Sequence, residues 1–434
     1  MTGATIETIV RNIREALSRG DATRAEHLCR ECVTLDPVRE DALAFLAMRA
    51  IERGEPGRVR DALERATALK PGAAMLHFHH GCVLEALSAP DEARDAFARA
   101  VAADPEMLLA QFWLGALEEA TGRRDDALAT WVRAVASADR SGFGAVLAQQ
   151  PPAVRARVLQ ALARVNAARA DAIDAAIAAS GATPTSRVRG AFDRYLGRAS
   201  HGATHPLQKP TFLLIPDLPG LPWHDRASFP ELAAIETQTE AIRDELLAVL
   251  ASDAPLVPYV DIPDTAPAAS HWRELNRSPR WSAMHFHRHG ARVEANAARC
   301  PRTVAALESL PLMQIPEHSP ETLLSVLKPR TRIPPHTGVM NGRLTVHLPL
   351  IVPPNCGALC SGGEMRPWHE GRCLVFDDSH IHEAANDSDH TRVVLIFDLW
   401  DPRLTLEERE ALAAGIAAIG RFHRRHGAYD ATHE

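Results

Sequence analysis

Two histidines and an arginine near the end of the chain have the types and spacing of a site for a metal ion and an acidic ligand. His336 and His382 are 46 residues apart, and Arg392 follows ten residues after the second histidine. His336 precedes a predicted strand at 343–352, His382 follows one at 372–376, and Arg392 lies on one at 391–398. Two imidazoles can hold iron(II) and leave positions for a 2-oxo acid and oxygen, while a guanidinium can pair in a fork with a carboxylate. The pattern is typical of a jelly-roll oxygenase.

The carboxylate that usually completes such an iron site is missing. It is expected two residues after the first histidine, where this chain has Gly338. The second histidine has two possible assignments, because His380 and His382 point to the same side of an extended segment. Glu383, which follows directly, and the offset to Arg392 favour His382.

A series of short motifs around these residues resembles the aspartyl/asparaginyl β-hydroxylase family. The motifs are Pro335-His-Thr-Gly338, Asn341-Gly-Arg-Leu344, His347-Leu-Pro-Leu-Ile-Val-Pro353, Trp368-His-Glu-Gly371, Phe376-Asp-Asp378 and His382-Glu383. The resemblance covers residues 206–402. It implies a β-rich double-stranded β-helix (jelly-roll) domain with flanking helices, and a two-histidine iron site with glycine in the carboxylate position. The implied cofactor is Fe(II), and the implied cosubstrates are 2-oxoglutarate and O2.

The resemblance also implies roles for five residues. His336 and His382 match the metal ligands. Ser325, His347 and Arg392 match the residues that hold 2-oxoglutarate, the serine and the arginine at its distal carboxylate. These five side chains are therefore the candidate catalytic, metal-binding and cosubstrate-binding residues.

The implied reaction is hydroxylation of an unactivated C–H bond, in an Asp- or Asn-type side chain of a peptide or protein. Thr345 stands where the vertebrate enzyme has an arginine beside the substrate carboxylate, which weighs against aspartate as the target. Three alternatives stay open. They are a small-molecule or lipid hydroxylase of the same family, a halogenase that binds chloride at the position left by Gly338, and a non-catalytic repeat-based binding protein.

The first part of the chain repeats with a period of 34 residues. The interval is kept by Pro37, Pro71 and Pro105, by the small residues Ala47, Gly81 and Gly115, and by the bulky residues Leu63, Phe97 and Trp131. Small residues let paired helices approach closely, and proline ends the second helix of a pair. The pattern resembles the tetratricopeptide repeat, with about four units over residues 5–138. Such an all-α solenoid offers a concave groove, so we expect it to dock a peptide or protein substrate.

The chain is expected to divide into three segments. They are the repeat array at 1–138, a helical cap and linker at 139–205, and the oxygenase domain with a C-terminal helix at 206–434. Further predicted elements are helices at 153–179, 230–252 and 405–421, a strand at 212–220 and a polar linker at 190–204. Thr405 and Glu408 have the spacing of a capping box at the start of the last helix.

Other polar residues are expected to have structural roles. Cys29 and Cys32 occupy packing columns of the repeat, and Asp377 and Asp378 are expected to form a turn that anchors the iron site. His77, His79 and His80 are predicted to line a helix surface. His285, His287 and His289 alternate as on a strand edge at the surface or along a substrate cleft.

Composition excludes several classes of protein. The 434 residues are 46% hydrophobic and 24% charged, which is ordinary for globular domains. A net charge of −7 argues against nucleic acid as the main partner. No apolar run approaches the roughly 20 residues of a membrane helix, so no membrane partner is expected. Seven cysteines, an odd number, fit a reducing compartment, so a cytoplasmic location is expected. The sequence leaves the oligomeric state open.

Overall fold

The computed structural model describes the backbone of residues 2–200, 202–252, 256–264 and 268–428. The side chains of residues 2–5 and 139–141 lie outside this description. The chain forms two compact units, residues 2–167 with 425–428 and residues 168–424. Within the described residues, no helix has both the length and the apolar composition needed to cross a membrane.

The first unit consists of helices that pair into hairpins. They are α1 (Thr2–Ser18), α2 (Ala22–Leu35), α3 (Glu40–Glu52), α4 (Gly57–Leu69), α5 (Ala74–Ala86), α6 (Pro90–Ala103), α7 (Leu108–Ala120), α8 (Arg124–Ser141), α9 (Phe143–Ala148) and the first part of α10 (Pro152–Ser180). Asp36, Lys70 and Asp104 end α2, α4 and α6 directly before the three periodic prolines, which cannot continue a helix. The predicted tetratricopeptide-repeat solenoid is confirmed.

The small and bulky residues of the repeat meet inside each hairpin. A Cβ atom added at Gly81 of α5 would lie 2.7 Å from the Phe97 ring of α6. A Cβ atom added at Gly115 of α7 would overlap the Trp131 ring of α8. Each aromatic ring therefore packs directly on a glycine backbone, which explains why the period keeps a small residue opposite a bulky one.

We expect Gly115→Ala to lower the free energy of unfolding by about 1–3 kcal/mol, because the added methyl group overlaps the buried Trp131 ring. Urea denaturation of the full chain, followed by circular dichroism, measures this change. Gly57→Ala is the matched control, since a Cβ atom there has no neighbour within 4 Å. It should change the free energy by less than about 0.5 kcal/mol. Equal effects of the two substitutions would contradict the close packing at Gly115.

Buried cysteines and histidines of the repeats belong to the helix packing. Cys29 and Cys32 are fully buried, so their assignment to the core is confirmed. The prediction that the histidines of α5 line a surface is wrong for His77 and His79, which are both buried. The reason is that α5 packs against α3, α4 and α6, and the Nε2 atom of His77 lies 2.9 Å from the Pro71 carbonyl oxygen.

The second unit contains all twelve strands of the described chain. They are β1 (Trp223–His224), β2 (Val257–Pro258), β3 (Trp281–Arg288), β4 (Ala291–Arg292), β5 (Thr322–Leu327), β6 (Thr331–His336), β7 (Arg343–Ile351), β8 (Ala358–Ser361), β9 (Glu364–Pro367), β10 (Leu374–Phe376), β11 (His382–Asn386) and β12 (Arg392–Trp400). Its helices, besides the end of α10, are α11 (Ser186–Tyr195), α12 (Leu232–Glu236), α13 (Thr239–Leu250), α14 (Glu294–Ala297), α15 (Pro301–Glu308) and α16 (Leu406–Arg425).

The strands form two antiparallel sheets. The larger sheet has the order β1-β10-β7-β12-β5-β3-β2, with β4 paired to β3, and the smaller has the order β6-β11-β8-β9. Alternate side chains of β7 and β12, such as Leu344 and Phe397, pack outward on helices α12 to α15. The other face of the larger sheet packs against the smaller sheet, where Val394 meets Leu359 and Ala384 in one core cluster. The predicted β-rich domain with flanking helices is confirmed, and its inner face is the space between the two sheets.

Several boundaries differ from the predicted ones. The segment 212–220 is a loop, not a strand, because Asn341 binds both backbone groups of Ile215. The helix predicted at 230–252 is split into α12 and α13. The first part of the polar linker predicted at 190–204 is helical and belongs to α11. This helix is held in place because Phe192 is buried against Gly415 of α16.

The compact units divide at residue 167, whereas the sequence placed divisions at 138 and 205. The end of α10 and α11 share a core cluster with α16, which joins them to the second unit.

The capping box at the start of α16 is confirmed. The Thr405 backbone N–H donates to Glu408 Oε2 over 3.0 Å, and the Glu408 N–H donates to Thr405 Oγ1 over 3.2 Å.

Candidate active site

Cross-strand pairing brings His336 and His382 together. His336 is the last residue of β6, His382 is the first of β11, and the two are register partners in this antiparallel pair. Their ring centroids are 4.0 Å apart. The Phe376 ring of the larger sheet lies 5.5 Å from the His382 ring. The histidine pair therefore faces the space between the two sheets.

The backbone fixes the same ring nitrogen in both histidines. Nδ1 of His336 lies 2.9 Å from the Pro334 carbonyl oxygen, and Nδ1 of His382 lies 2.9 Å from the His380 carbonyl oxygen. Because a carbonyl only accepts, each Nδ1 carries the proton and each Nε2 keeps a free lone pair. Burial, followed by the neighbouring His382, lowers the pKa of His336 to about 3, and burial also lowers the pKa of His382. Both imidazoles are in the neutral form that binds metals.

Gly338 leaves no room for a side chain beside this pair. The Asp378 carboxyl group occupies the space where a Cβ atom of residue 338 would lie, and the Gly338 N–H donates to the Asp378 carbonyl oxygen over 2.6 Å. Arg343 Nη2 holds Asp378 Oδ2 at 2.6 Å. In the part of the chain that the structure describes, no group of three or more His, Cys, Asp or Glu side chains is arranged to hold a metal ion. Asp378, therefore, closes the position next to the first histidine.

Gly338→Ala should lower the free energy of unfolding by about 1–3 kcal/mol, because the methyl group overlaps a carboxyl group that Arg343 holds in place. Thermal and urea unfolding of the full chain measure the effect. The matched control is Gly202→Ala, where a Cβ atom has no neighbour within 4 Å. A Gly338→Ala protein as stable as the control would show that Asp378 is free to move away.

Arg392 is a buried cation that has no acidic partner among the described residues. Its side chain is 1% exposed, and its Nε and Nη1 atoms have no hydrogen-bond partner among the described residues. The guanidinium lies 4.7 Å from the centre of the Trp368 ring, and burial lowers its pKa to about 10. An unpaired buried charge is strongly unfavourable, whereas a carboxylate ligand can satisfy a guanidinium in two parallel hydrogen bonds. The site is therefore suited to a carboxylate.

Ser325 and His347 share the inner face of the larger sheet with Arg392. The pairing of β5 with β12 makes Ser325 a diagonal neighbour of Arg392. Trp281 Nε1 donates to Ser325 Oγ over 3.0 Å, which leaves the hydroxyl proton free for another acceptor. Trp368 Nε1 donates to His347 Nδ1 over 3.3 Å, so the His347 proton is on Nε2. Burial, then Arg392, holds the pKa of His347 well below its usual value, which keeps this imidazole neutral.

The sequence of this domain matches a known family over the segment that contains the site. Residues 236–402 match the family model described as Aspartyl/Asparaginyl beta-hydroxylase. The matched segment contains strands β2 to β12, and with them all five candidate residues that the motifs indicated.

Curated relatives resemble the β-hydroxylase-family domain. The ornithine lipid ester-linked acyl 2-hydroxylase of Rhizobium tropici is 36% identical over 183 residues, which are 42% of this chain and 61% of the relative. The aspartate beta-hydroxylase domain-containing protein 2 of Xenopus tropicalis is 32% identical over 221 residues, 50% of this chain and 56% of the relative. The chain thus spans less than two thirds of either relative.

A solved helical-repeat structure is also similar to part of this chain. The first TPR domain of the human RPAP3 protein is 15% identical over 28% of this chain and 94% of that structure, with a TM-score of 0.25.

The β-hydroxylase-family domain holds the alternative histidine, His380, away from His336. His380 is completely buried, its Nδ1 atom lies 3.4 Å from Asp377 Oδ2, and its ring lies 5.0 Å from the His205 ring. Asp377 Oδ1 accepts from the Ser379 N–H over 2.9 Å, which forms the expected turn after β10. The geometry therefore pairs His382, not His380, with the first histidine.

The three alternating histidines near the end of β3 do not form a surface edge. The prediction is wrong for His287, which is 7% exposed and has its Nδ1 atom 2.9 Å from Thr322 Oγ1. The reason is that β3 at His287 is paired on both sides, with β5 at Thr322 and with β4 at Arg292. His285 Nδ1 and His289 Nδ1 lie 3.5 and 3.6 Å from the carboxylate of Glu321.

Three aromatic rings beside His336 were not predicted from the sequence. We call Tyr259, Trp272 and Trp281 the aromatic wall. The Tyr259 and Trp281 rings stack at 3.9 Å with an angle of 10° between their planes. The Trp272 ring lies 6.0 Å from Trp281 and 5.2 Å from His336, edge to face. Tyr259 directly follows β2, Trp272 lies in a loop and Trp281 begins β3. These positions follow no periodic spacing, so nothing in the sequence pattern signalled that they would meet.

Proposed function

We propose that the domain is an iron(II)- and 2-oxoglutarate-dependent hydroxylase. The observation that carries the proposal is Arg392, a buried guanidinium without an acidic partner on the inner face that also bears His347 and faces the histidine pair. The family match supports hydroxylase activity. The unpaired N–H groups of Arg392 and the free Nε2 lone pairs of His336 and His382 support the choice of cosubstrate and cofactor.

The neutral Nε2 atoms of His336 and His382 are the groups that would hold iron(II). Borderline metals such as iron(II) accept imidazole nitrogen, and the backbone carbonyls that fix each Nδ1–H give the rings a set orientation. When bound, iron(II) supplies the activation of O2 that hydroxylation of an unactivated C–H bond requires. The Asp378 carboxyl group fills the place beside Gly338, which weighs against a chloride ion there and so against halogenation.

Three side chains would hold 2-oxoglutarate. Arg392 has the charge and the unused N–H groups to bind its distal carboxylate, and the free hydroxyl proton of Ser325 can donate to the same group. His347 has its Nε2–H available as a further donor. Trp368 positions two of the three, since its indole N–H binds His347 and its ring lies against Arg392.

For the substrate, we propose a peptide or protein that the repeat array helps to dock. A tetratricopeptide-repeat solenoid offers a groove for extended segments and no histidine or acidic set that matches the iron site. Of the two predicted targets, an asparagine amide fits better than an aspartate carboxylate. Thr345 supplies no positive charge, and its partner on β12 is Asp398, whose carboxyl group would repel a second carboxylate. The Rhizobium tropici relative favours a second candidate, hydroxylation of a lipid acyl chain.

Product analysis tests the proposal and separates the two substrate classes. The full chain is incubated with iron(II) and 2-oxoglutarate, either with a peptide digest or with a lipid extract. Mass spectrometry then looks for products that gain one oxygen atom only when both additions are present. Oxygenated peptides support the proposed function, whereas oxygenated lipids alone would replace the peptide substrate by the lipid one. Consumption of 2-oxoglutarate that does not depend on iron would refute the cofactor assignment.

A further inference from the structure

The ionisable side chains around Asp378 include more carboxyl groups than guanidinium groups. We call Arg343, Asp378, Asp398 and Glu321 the acidic cluster. Arg343 Nη2 binds Asp378 at 2.6 Å, but its Nη1 atom lies 3.7 Å from Asp398 Oδ2, which is too far for a hydrogen bond. Glu321 lies within electrostatic range of Asp398. Within the cluster, one guanidinium thus accompanies three carboxyl groups, of which Glu321 also lies near His285 and His289.

The acidic cluster has buried atoms without partners. Asp398 is 3% exposed and Asp378 is 6% exposed, and each has a buried carboxylate oxygen that accepts no hydrogen bond from the described residues. Burial, opposed by Arg343 and reinforced by Asp378, raises the pKa of Asp398 to about 7. Buried carboxylate oxygens are normally satisfied by a donor. These carboxyl oxygens are therefore free to accept a hydrogen bond from a donor group of a ligand.

The aromatic wall adjoins the acidic cluster at Tyr259. The residue as a whole is 41% exposed, but burial of its hydroxyl group raises the pKa of that group to about 12, and all four members of the cluster lie within electrostatic range of it. Through Trp281 and Trp272 the wall reaches His336. Aromatic faces attract ammonium and guanidinium groups, and they do so more strongly where water is excluded.

We propose that the substrate carries an ammonium or guanidinium group that binds between the acidic cluster and the aromatic wall. This inference rests on the proposed hydroxylase function and names the chemical class that its site selects. The inner face of the larger sheet then has a basic end at Arg392 for the cosubstrate and an acidic end for the substrate. Such a group could belong to a basic side chain of a peptide or to a free amine.

Direct binding to the full chain without metal tests the proposal independently of turnover. The probes are three N-acetylated, C-amidated tripeptides with glycine on both sides of lysine, norleucine or glutamate, and binding is measured by isothermal titration calorimetry. The lysine peptide should bind at least about tenfold more tightly than the norleucine peptide, and the glutamate peptide more weakly than both. n-Butylammonium is the free-amine probe: displacement of the lysine peptide assigns recognition to the ammonium group alone. Failure to displace it shows that the peptide backbone also contributes.

Two substitutions locate the site. Thr345→Arg places a cation beside Asp398 and should remove most of the preference for lysine, while Thr34→Arg adds the same charge to an exposed position of α2 and should leave the preference unchanged. Residue 345 is buried, so an arginine there could also disturb the fold, and Glu321→Gln serves as a second variant. It keeps the shape of a partly exposed side chain and should weaken lysine-peptide binding by about threefold or more.

The outcomes separate this inference from the proposed function. Equal binding of the lysine and glutamate peptides, in a protein that consumes 2-oxoglutarate in an iron-dependent way, would overturn the inference and leave the function intact. Lysine preference that both variants reduce, in a protein without that turnover, would support the cation site and count against the function. A preference that neither variant reduces would place cation binding elsewhere and overturn the inference.

Discussion

Arg392→Ala is expected to weaken 2-oxoglutarate binding by roughly 30-fold to several thousandfold, which corresponds to about 2–5 kcal/mol. The physical reason is that the variant leaves the distal carboxylate in a buried place without its cation. Arg392→Lys should have a smaller effect, because an ammonium group supplies charge without the planar fork. Calorimetric titration of 2-oxoglutarate into the metal-loaded full chain under anaerobic conditions measures both.

The control for this substitution is Arg366→Ala. The Arg366 guanidinium also lies 4.7 Å from a tryptophan ring, that of Trp223, but it pairs with Glu364 near the surface. Its loss should leave 2-oxoglutarate binding unchanged. Because Arg392 has no acidic partner, Arg392→Met should also leave the unliganded protein as stable as the parent or more stable. An unchanged affinity in Arg392→Ala would contradict the assignment, and so would a large loss of stability in Arg392→Met.

His336→Ala and His382→Ala should each reduce iron-dependent turnover of 2-oxoglutarate to below about 1% of the parent, since a site with two protein ligands has no reserve when one is lost. Metal content after equilibration with iron(II), measured by mass spectrometry, should fall in parallel. Circular dichroism should show that each variant keeps its fold.

His369→Ala is the matched control for the histidine variants, because His369 is exposed and should be dispensable. His380→Asn tests the alternative ligand that the sequence left open. If His382→Ala kept full activity while His380→Asn lost it, the second ligand would be His380, although the structure directs that ring toward Asp377 and His205.

Local signals in the sequence were sufficient where one short-range rule decides the structure. The 34-residue period identified the small and bulky positions of the repeat, and the structure packs Gly81 on Phe97 and Gly115 on Trp131, because helix hairpins of constant length bring constant positions together. The capping box of Thr405 similarly depends on residues only three apart. The strands that bear Arg392 and His347 were predicted from their β-branched and apolar runs, which a buried central strand requires.

Contacts between distant segments were not predictable in the same way. The Asp378 carboxyl group beside Gly338 depends on how the turn after β10 meets the end of β6, and no local pattern encodes that meeting. The loop at 212–220 was mistaken for a strand because its apolar residues have strand-like composition, while their actual partners are Asn341 and the core around α16. The histidine pair was predicted from the placement of the two histidines relative to the predicted strands and from the family motifs around them.

We propose that the histidine pair holds iron(II), that Arg392 holds 2-oxoglutarate, and that turnover depends on both. The most direct test of this proposal is succinate formation from 2-oxoglutarate by the full chain without added substrate, measured with and without iron(II), in the parent and in Arg392→Ala. We expect slow turnover that requires iron(II), is abolished by a chelator, and falls at least about thirtyfold in Arg392→Ala at subsaturating 2-oxoglutarate. Turnover of the same size in the variant, or none in the iron-loaded parent that nevertheless binds 2-oxoglutarate, would contradict the claim.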